Sequence, residues 1–496
     1  LNLEPFVLPI LYAVATAVMT MYGANLLWLS ALFVRNDRLR PGPVPPVNEV
    51  PPLPRPAPAV TVQLPLYNEP MVVERLIDAC AALDYPHALI DIQVLDDSTD
   101  ETTAIAARRI AHWQQRGLDI ALVHREAREG YKAGALKNGL RLARGEFIAI
   151  FDADFVPAPD FLRRLLPRFN APDIGMVQAR WGHINADDSL LTRIQAFGLD
   201  AHFALEQCAR NRAGLFMNFN GTAGIWRRAC IVDGGDWESD TLAEDLDLSY
   251  RAQLNGWRFK LADDVEVPSE LPADLAALRT QQYRWTKGAA EAGFKLLGRL
   301  WRSSERLAVK VEGTFHLTAH FVFPFILAAA LLHAPILVME RFGFDGPGPL
   351  YFAFLGIGLA GFFGFFLAQL FAQRALYPDW PRRLAFFPLF LAGSIGLTVN
   401  NTRALASALA RSRSPFVRTP KGGVRPAGHP RFDPWGLVEA GLFAYSGAGL
   451  LAILADGEWA AVPFQVLFTL GFGLVTFFQL RTRGPNDVAV GTTARG

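Results

Sequence analysis

Cysteine is scarce in this sequence. The 496 residues hold three, Cys80, Cys208 and Cys230, and no C-x-x-C pair. That argues against a disulfide scaffold or a thiolate metal site and for reduced thiols in a cytosolic compartment. Charge of one sign is not in excess either: 48 Lys+Arg against 47 Asp+Glu leave a formal net charge of +1. A chain so balanced has no general polyanion-binding character, so nucleic acid is not an expected partner. Charged residues are thin at 19%, while hydrophobic residues reach 51%. That average hides two different materials. The sequence opens on Leu1 rather than Met, which leaves a removed upstream segment, a signal peptide included, open.

The first material is membrane-like. Residues 6–34 are free of charge, long enough for a span of about 20 residues. Arg35, Arg38 and Arg40 follow at once and set this end in the cytoplasm by the positive-inside rule. Residues 1–40 are thus expected as a transmembrane helix and the proline-rich stretch 41–58 as an extended linker. Further apolar runs near 310–338, 349–373, 436–455 and 459–480 read as spans. Residues 384–410 start apolar and turn polar at "NNTRA". If they crossed, the basic stretch "RSRSPFVRTPKGGVRPAGHPR" would lie outside. Held at the interface, they leave it inside with the "RTRG" tail. The second arrangement is expected: five crossings, with residues 306–410 holding two spans and the interfacial segment, 435–482 two more spans, and a cytosolic tail at 483–496.

The second material, residues 59–274, reads as a soluble α/β domain. "AVTVQLPLYN", "IDIQVLDDS", "IALVHR" and "EFIAIFDADF" are strand-like, with amphipathic helices between them. Alternating strands and helices predict a mostly parallel sheet with its ligand site at the strand C-termini. Asp96, Asp97, Asp152 and Asp154 all fall there. Residues 275–305 read as an amphipathic, basic helix lying along the cytoplasmic membrane face, with Lys287, Lys295, Arg299 and Arg302.

Each candidate motif carries a plain alternative. Asp152-x-Asp154 can hold Mg²⁺ or Mn²⁺ against phosphate oxygens, or be a solvated turn. Asp97 can accept from a base or ribose, or cap the next helix. Lys132 and Asn138 lie close to glycines in "EGYKAGALKNG", where Lys132 suits a phosphate or sits solvated in a loop. Thr241-x-x-Glu244 matches a capping box, and Asp245 beside it suits a general base or an ordinary acidic first turn. Gln281, Arg284 and Trp285 share one helix face; Arg suits a diphosphate and Trp a pyranose face, or an interfacial anchor.

In order, "QLPLYNEP", "LDDST", "YKAGALKN", "FDADF", "FNGTAG", "LAEDLD" and "QQYRW" resemble the family 2 glycosyltransferases, membrane-bound inverting β-glycan synthases. The closest likeness is to the plant cellulose-synthase-like A and C branches and their bacterial relatives. The resemblance implies a GT-A (Rossmann-like) α/β domain beside transmembrane helices, a nucleotide-sugar donor and a divalent metal, Mg²⁺ or Mn²⁺. It implies Asp97 for the base, Asp152 and Asp154 for metal and diphosphate, and Lys132 for the diphosphate. Asp245 becomes the general base. Gln281, Arg284 and Trp285 hold the diphosphate and the acceptor's last sugar, and Phe219, Asn220, Gly221 and Thr222 help form the acceptor site.

The acidic motif reads Ala-Glu-Asp where plant copies commonly have Val-Glu-Asp or Thr-Glu-Asp. No appended cyclic di-GMP-binding domain follows the last span, so that regulation is not expected within this chain. Residues 411–434 resemble the gating loop, usually Phe-x-Val-Thr-x-Lys; here Arg418 stands where the family has Val, and Thr419 and Lys421 are implied at the diphosphate. The expected activity is hexosyl transfer from a nucleotide sugar, UDP-glucose favoured over GDP-mannose, to a growing polysaccharide extruded through the protein's own helices. The expected location is the inner or plasma membrane, with membrane lipid around the spans and the catalytic domain cytosolic. Single transfer to a lipid or short acceptor is the alternative; a channel or transporter with a vestigial domain is a third reading.

Overall fold

The computed structural model describes residues 4–37, 52–339, 348–412, 417–419 and 434–481. Most of the linker 41–58, most of the loop 411–434 with Lys421, and the tail 483–496 lie outside the described residues.

Seven strands form one sheet: β1 Val60–Leu66, β2 Ile90–Asp96, β3 Ile120–His124, β4 Phe147–Ile150, β5 Ile174–His183, β6 Gly224–Arg227 and β7 Arg258–Ser269. Their order is β3-β2-β1-β4-β6-β5-β7. The four strands read from the sequence pair in parallel, as expected. β6 runs antiparallel between β4 and β5, so the sheet is mixed. β1 and β2 are buried along almost their whole length, because helices cover both faces. Their buried polar residues pair across the register: Thr61 donates to Asp91 at 2.8 Å and Gln63 to Gln93 at 3.0 Å. The register also puts Leu66 opposite Asp96, so Tyr67 and Asp97 leave the sheet at one edge with Phe151 and Asp152 of the next strand end.

Among the described residues, four helices are long and apolar enough to cross a membrane: Val7–Asn36, Ala319–Leu337, Trp435–Asp456 and Val462–Leu480. A further apolar helix, Gly348–Leu376, lies along the first. Glycine permits that contact: a Cβ on Gly23 would sit 2.2 Å from the Gly361 Cα, so only bare backbones can approach so closely. The span expected at 310–338 is divided. Leu307–Leu317 is a separate helix, and the apolar stretch starts at Ala319. Glu312 therefore sits in the helix before the span, buried against Arg210 of the catalytic domain at 2.7 Å. The ambiguous segment is a broken helix, Trp380–Gly396 and Thr398–Leu409, bent by 44°.

The amphipathic helix forms at Leu275–Arg302, capped by Asp274, whose side chain accepts from the Ala277 N–H at 2.9 Å. It joins the two halves of the molecule. Arg279 pairs with Glu439 and reaches Gln479 at 3.1 Å, both on apolar helices. Lys287, expected on a basic helix along the membrane face, is buried and donates to the Ser412 carbonyl at 2.5 Å. The C-terminal half of the broken helix packs on the same helix, and Asn400 donates to the Arg279 carbonyl at 3.1 Å.

Candidate active site

Strand ends and the helices Tyr131–Leu142, Glu244–Leu254 and Leu275–Arg302 converge on two adjoining cavities. The first, of about 110 Å³, is lined by Tyr67, Asp97, Arg128, Lys132, Asp152, Asp154, Arg284 and Thr419 among others. The second, of about 140 Å³, shares Lys132, Asp152, Asp154 and Arg284 and adds Asn220, Gly221, Glu244, Asp245, Gln281 and Trp285. Residues spread from 67 to 419 thus meet at the C-terminal edge of the sheet, where a parallel α/β arrangement puts its ligands.

Asp152 lies two residues after the end of β4, and its N–H donates to the Thr222 hydroxyl at 2.8 Å. Its carboxylate accepts from Lys132 Nζ at 2.5 Å, and the same Nζ donates to the Gly221 carbonyl at 2.8 Å. Burial opposes the charge on Lys132, but Asp152, Glu244 and Asp245 outweigh it and hold its pKa above the usual lysine value. Asp154 is buried and accepts from the Glu270 N–H at 3.1 Å. Two hard carboxylates one residue apart, both lining both cavities, are a donor set that fits Mg²⁺ or Mn²⁺.

The helix Glu244–Leu254 supplies the next carboxylates. The capping box expected from Thr241 and Glu244 does not form: Ala243 is the N-cap and makes no side-chain cap bond. Glu244 is instead buried in the second cavity wall. Burial and the adjacent Glu244 charge push the Asp245 carboxyl up to about 7. Glu244 itself is raised by burial, against the pull of Lys132. Gly221 lies against Asp245 and Lys132. Its φ is +81°, and a Cβ there would sit 3.0 Å from Asp245 Oδ2 and 3.4 Å from Lys132 Nζ. The left-handed backbone favours glycine, and a side chain there would crowd Asp245.

Of the "FNGT" residues, Asn220 and Gly221 line the second cavity, and Phe219 and Thr222 do not. Phe219 is buried in the core against Trp226, ring centroids 5.5 Å apart, because its neighbours in β6 draw it inward. Thr222 is equally buried and acts on Asp152 through the bond already given. The Asn220 amide is fixed from both ends, by Gln207 Nε2 on its Oδ1 at 3.0 Å and His202 Nε2 by its Nδ2 at 2.9 Å. Both partners come from the π-helical turn His202–Gln207.

Asp97 is held by Arg125, which donates from Nε at 2.7 Å and Nη2 at 2.5 Å. Arg128 stacks over the Tyr67 ring, 3.4 Å from its centroid. Neither arginine was singled out from the sequence, although "HREAREG" follows β3 and the strand-end rule applied to it as well. Arg284 borders both cavities and donates to the Val417 carbonyl at 3.3 Å. Burial, ahead of the surrounding carboxylates, lowers its pKa. Thr419 is buried in the first cavity wall, its hydroxyl without a partner among the described residues, and Arg418 pairs with Glu69. Lys421 lies outside the described residues.

Residues 56–288 match the sequence family described as glycosyltransferase like family 2. The chain is 43% identical over 251 residues to glucomannan 4-beta-mannosyltransferase 7 of Arabidopsis thaliana, covering 50% of this chain and 45% of that protein. It is 44% identical over 253 residues to glucomannan 4-beta-mannosyltransferase 1 of Oryza sativa subsp. japonica, covering 50% and 49%. The matched region spans about half the length of these curated relatives. The fold matches the mannosyltransferase PcManGT from Pyrobaculum calidifontis, solved with GDP-Man and Mn²⁺, at a TM-score of 0.55 and 22% identity over 82% of this chain and 100% of that one. The sheet is thus that of a GT-A fold, and residues 56–288 belong to glycosyltransferase family 2.

Proposed function

We propose that the protein is an inverting membrane mannosyltransferase that moves mannose from GDP-mannose to the end of a growing β-linked glycan. The observation that carries this is the Asp245 carboxyl, raised to about 7 beside Lys132, Asp152 and Arg284 and in one cavity with Trp285. GDP-mannose replaces the UDP-glucose favoured from the sequence, because the relatives' names specify mannosyl transfer and the similar fold carries GDP-Man.

Asp245 takes the proton from the acceptor hydroxyl as that oxygen bonds to the sugar C1. The C1–O bond to the diphosphate breaks, and GDP leaves with the electron pair. Single displacement turns an α-linked donor into a β-linked product. Lys132 and Arg284 meet the growing charge on the diphosphate. Asp152 and Asp154 would hold a divalent ion, which supplies Lewis-acid assistance to the leaving group when bound. Asp97 with Arg125, and Tyr67 with Arg128, form the wall offered to the base. Trp285 offers its face to the acceptor sugar. The apolar helices support a multi-pass membrane protein with the catalytic domain cytosolic, the broken helix at the interface and the polymer leaving through the helices.

The test uses the purified full chain in detergent with labelled GDP-mannose or UDP-glucose and Mn²⁺ or Mg²⁺. The expected product is a mannose-labelled polymer cleaved by an endo-β-mannanase. Incorporation of glucose alone would overturn the donor. Full activity in Asp245→Asn would overturn the mechanism.

A further inference from the structure

The helices Leu190–Ala201 and Cys208–Arg212 are joined by the π-helical turn His202–Gln207. Such turns are rare and concentrate at functional sites. In an α-helix, residues five apart point about 140° away from each other. The wider turn brings His202 and Gln207 onto one side chain, the Asn220 amide. Asn220 is partly exposed and lines the cavity that holds Asp245 and Trp285.

The hydrogen bonds here leave one arrangement of protons. The Asn218 carbonyl can only accept, so the Gln207 atom 2.8 Å from it is the amide nitrogen. That Nε2 also donates to Asn220 Oδ1 at 3.0 Å, with Asn218 Oδ1 sharing it at 3.1 Å. Asn220 therefore turns its Nδ2 toward His202, whose Nε2 lies 2.9 Å away. A ring nitrogen that receives an amide N–H carries no proton of its own. His202 is thus the neutral ring with its proton on Nδ1. Burial, which lowers its pKa to about 4, keeps it neutral. The backbone nearby is held by other groups. The Asn220 N–H donates to Gln178 Oε1 at 3.0 Å, and the Phe219 N–H to Ser249 Oγ at 2.9 Å. What His202 adds is the direction of the side-chain amide.

We propose that His202 is a positioning residue of the acceptor site: as a hydrogen-bond acceptor at Nε2, it holds the Asn220 amide in one orientation toward the sugar. This rests on the glycan-elongating reading above. Neither His202 nor Gln207 belongs to the seven motifs. One N–H and one lone pair of the Asn220 amide are spent on His202 and Gln207, and one of each remains. A sugar hydroxyl both donates and accepts, so an amide free to turn over meets it in two ways. A locked amide meets it in one, which keeps a single acceptor hydroxyl before Asp245.

The experiment measures KM for mannotetraose in the wild type, His202→Ala, His202→Gln, Gln207→Met, Asn220→Ala and the double variant His202→Ala with Asn220→Ala. KM for GDP-mannose is the internal reference, and thermal unfolding checks the fold. His202→Ala should raise KM for mannotetraose by roughly tenfold, with KM for GDP-mannose unchanged. His202→Gln, whose Oε1 can accept the same N–H, should recover most of that loss. The double variant should be no worse than Asn220→Ala alone, because His202 acts through that amide. Gln207→Met breaks the chain at its other end and should match His202→Ala, which keeps the test valid if His202→Ala does not fold. An unchanged KM for mannotetraose in a folded His202→Ala overturns the proposal, and so does a double variant in which the two losses add. Calorimetric titration of mannotetraose and cellotetraose without donor reads the same cycle as dissociation constants. A wild type that transfers only glucose refutes the donor, while the cycle still decides on His202. Binding of neither sugar by the wild type overturns the proposal as well.

Discussion

The two walls of the site are built on opposite principles. On the donor side the charged groups already satisfy one another: Arg125 holds Asp97, Lys132 holds Asp152, and Arg418 holds Glu69. On the acceptor side the side chains of Trp285, Gln281 and Gln282 make no hydrogen bond among the described residues, and Asn401 keeps a donor to spare. A charged ligand exchanges one set of ion pairs for another, so its wall can be prepaired without losing its function. A neutral sugar brings only hydroxyls and apolar faces, and its wall has to keep open groups. Asp245 stands where the two walls meet, and changes there should have the largest effects.

Asp245→Asn removes the proposed base while keeping shape and size. Turnover is expected to fall by about 10²- to 10⁴-fold, with thermal stability kept or raised, because a buried carboxyl with a raised pKa is lost. Initial rates with labelled donor check it, and a loss under tenfold would move the base elsewhere. Gly221→Ala should rank next. Its φ is +81°, and a methyl group there would press on Asp245 Oδ2 at 3.0 Å and displace that carboxylate. The left-handed backbone alone disfavours alanine by about 1–2 kcal/mol, so melting should fall by several degrees, with a drop in kcat larger than any change in donor KM.

The pH profile sharpens the same junction. A base must be unprotonated, and the Asp245 carboxyl is raised to about 7 by burial and by Glu244. The rate constant kcat/KM should therefore fall as pH drops below about 7. Glu244→Gln takes away a negative neighbour, lowers the Asp245 pKa, and should move this acid limb to lower pH. Because the two carboxyls titrate as a pair, the limb belongs to both. A limb that stays in place in Glu244→Gln would mean that burial alone sets it.

The catalytic half was far more legible in the sequence than the membrane half. The strands before Asp97 and Asp152 are short apolar runs ended by carboxylates, a pattern local enough to read. Phe219 was misplaced because a motif fixes the path of the backbone, not which way each side chain turns, and here it turns into the core. Arg125, Arg128 and Glu69 escaped notice because lone charges after a strand resemble any solvated loop. Glu244 was given to a capping box that needed Thr241 at the N-cap, and the helix starts two residues later than that. In the membrane half, hydropathy found the apolar stretches but not the 44° break at 396–398 or the late start of the span at Ala319. Both depend on partners distant in sequence, such as Arg210 for Glu312 and Arg279 for Asn400.

The smallest effect is expected at Arg418, the residue that departs from the family's gating motif. Its guanidinium pairs with Glu69, which leads out of β1 within "YNEP", and the next residue, Thr419, lines the first cavity. The pair is partly exposed, 20% for Arg418 and 9% for Glu69, so screening keeps its contribution near 1 kcal/mol. Arg418→Ala should then raise KM for the donor by roughly fivefold and leave kcat nearly unchanged, since the group anchors the loop and does not meet the reacting atoms. Glu69→Ala should match it, and the double variant should be no worse than either single one, the signature of one shared contact. Thr419→Ala with Lys421→Ala, by contrast, should lower kcat, because the resemblance to the gating loop implies those side chains at the diphosphate. If Arg418→Ala lowered kcat as much as the Thr419 and Lys421 pair does, the arginine would have to contact the donor itself, and the prepaired donor wall would have to open at Glu69 to let it.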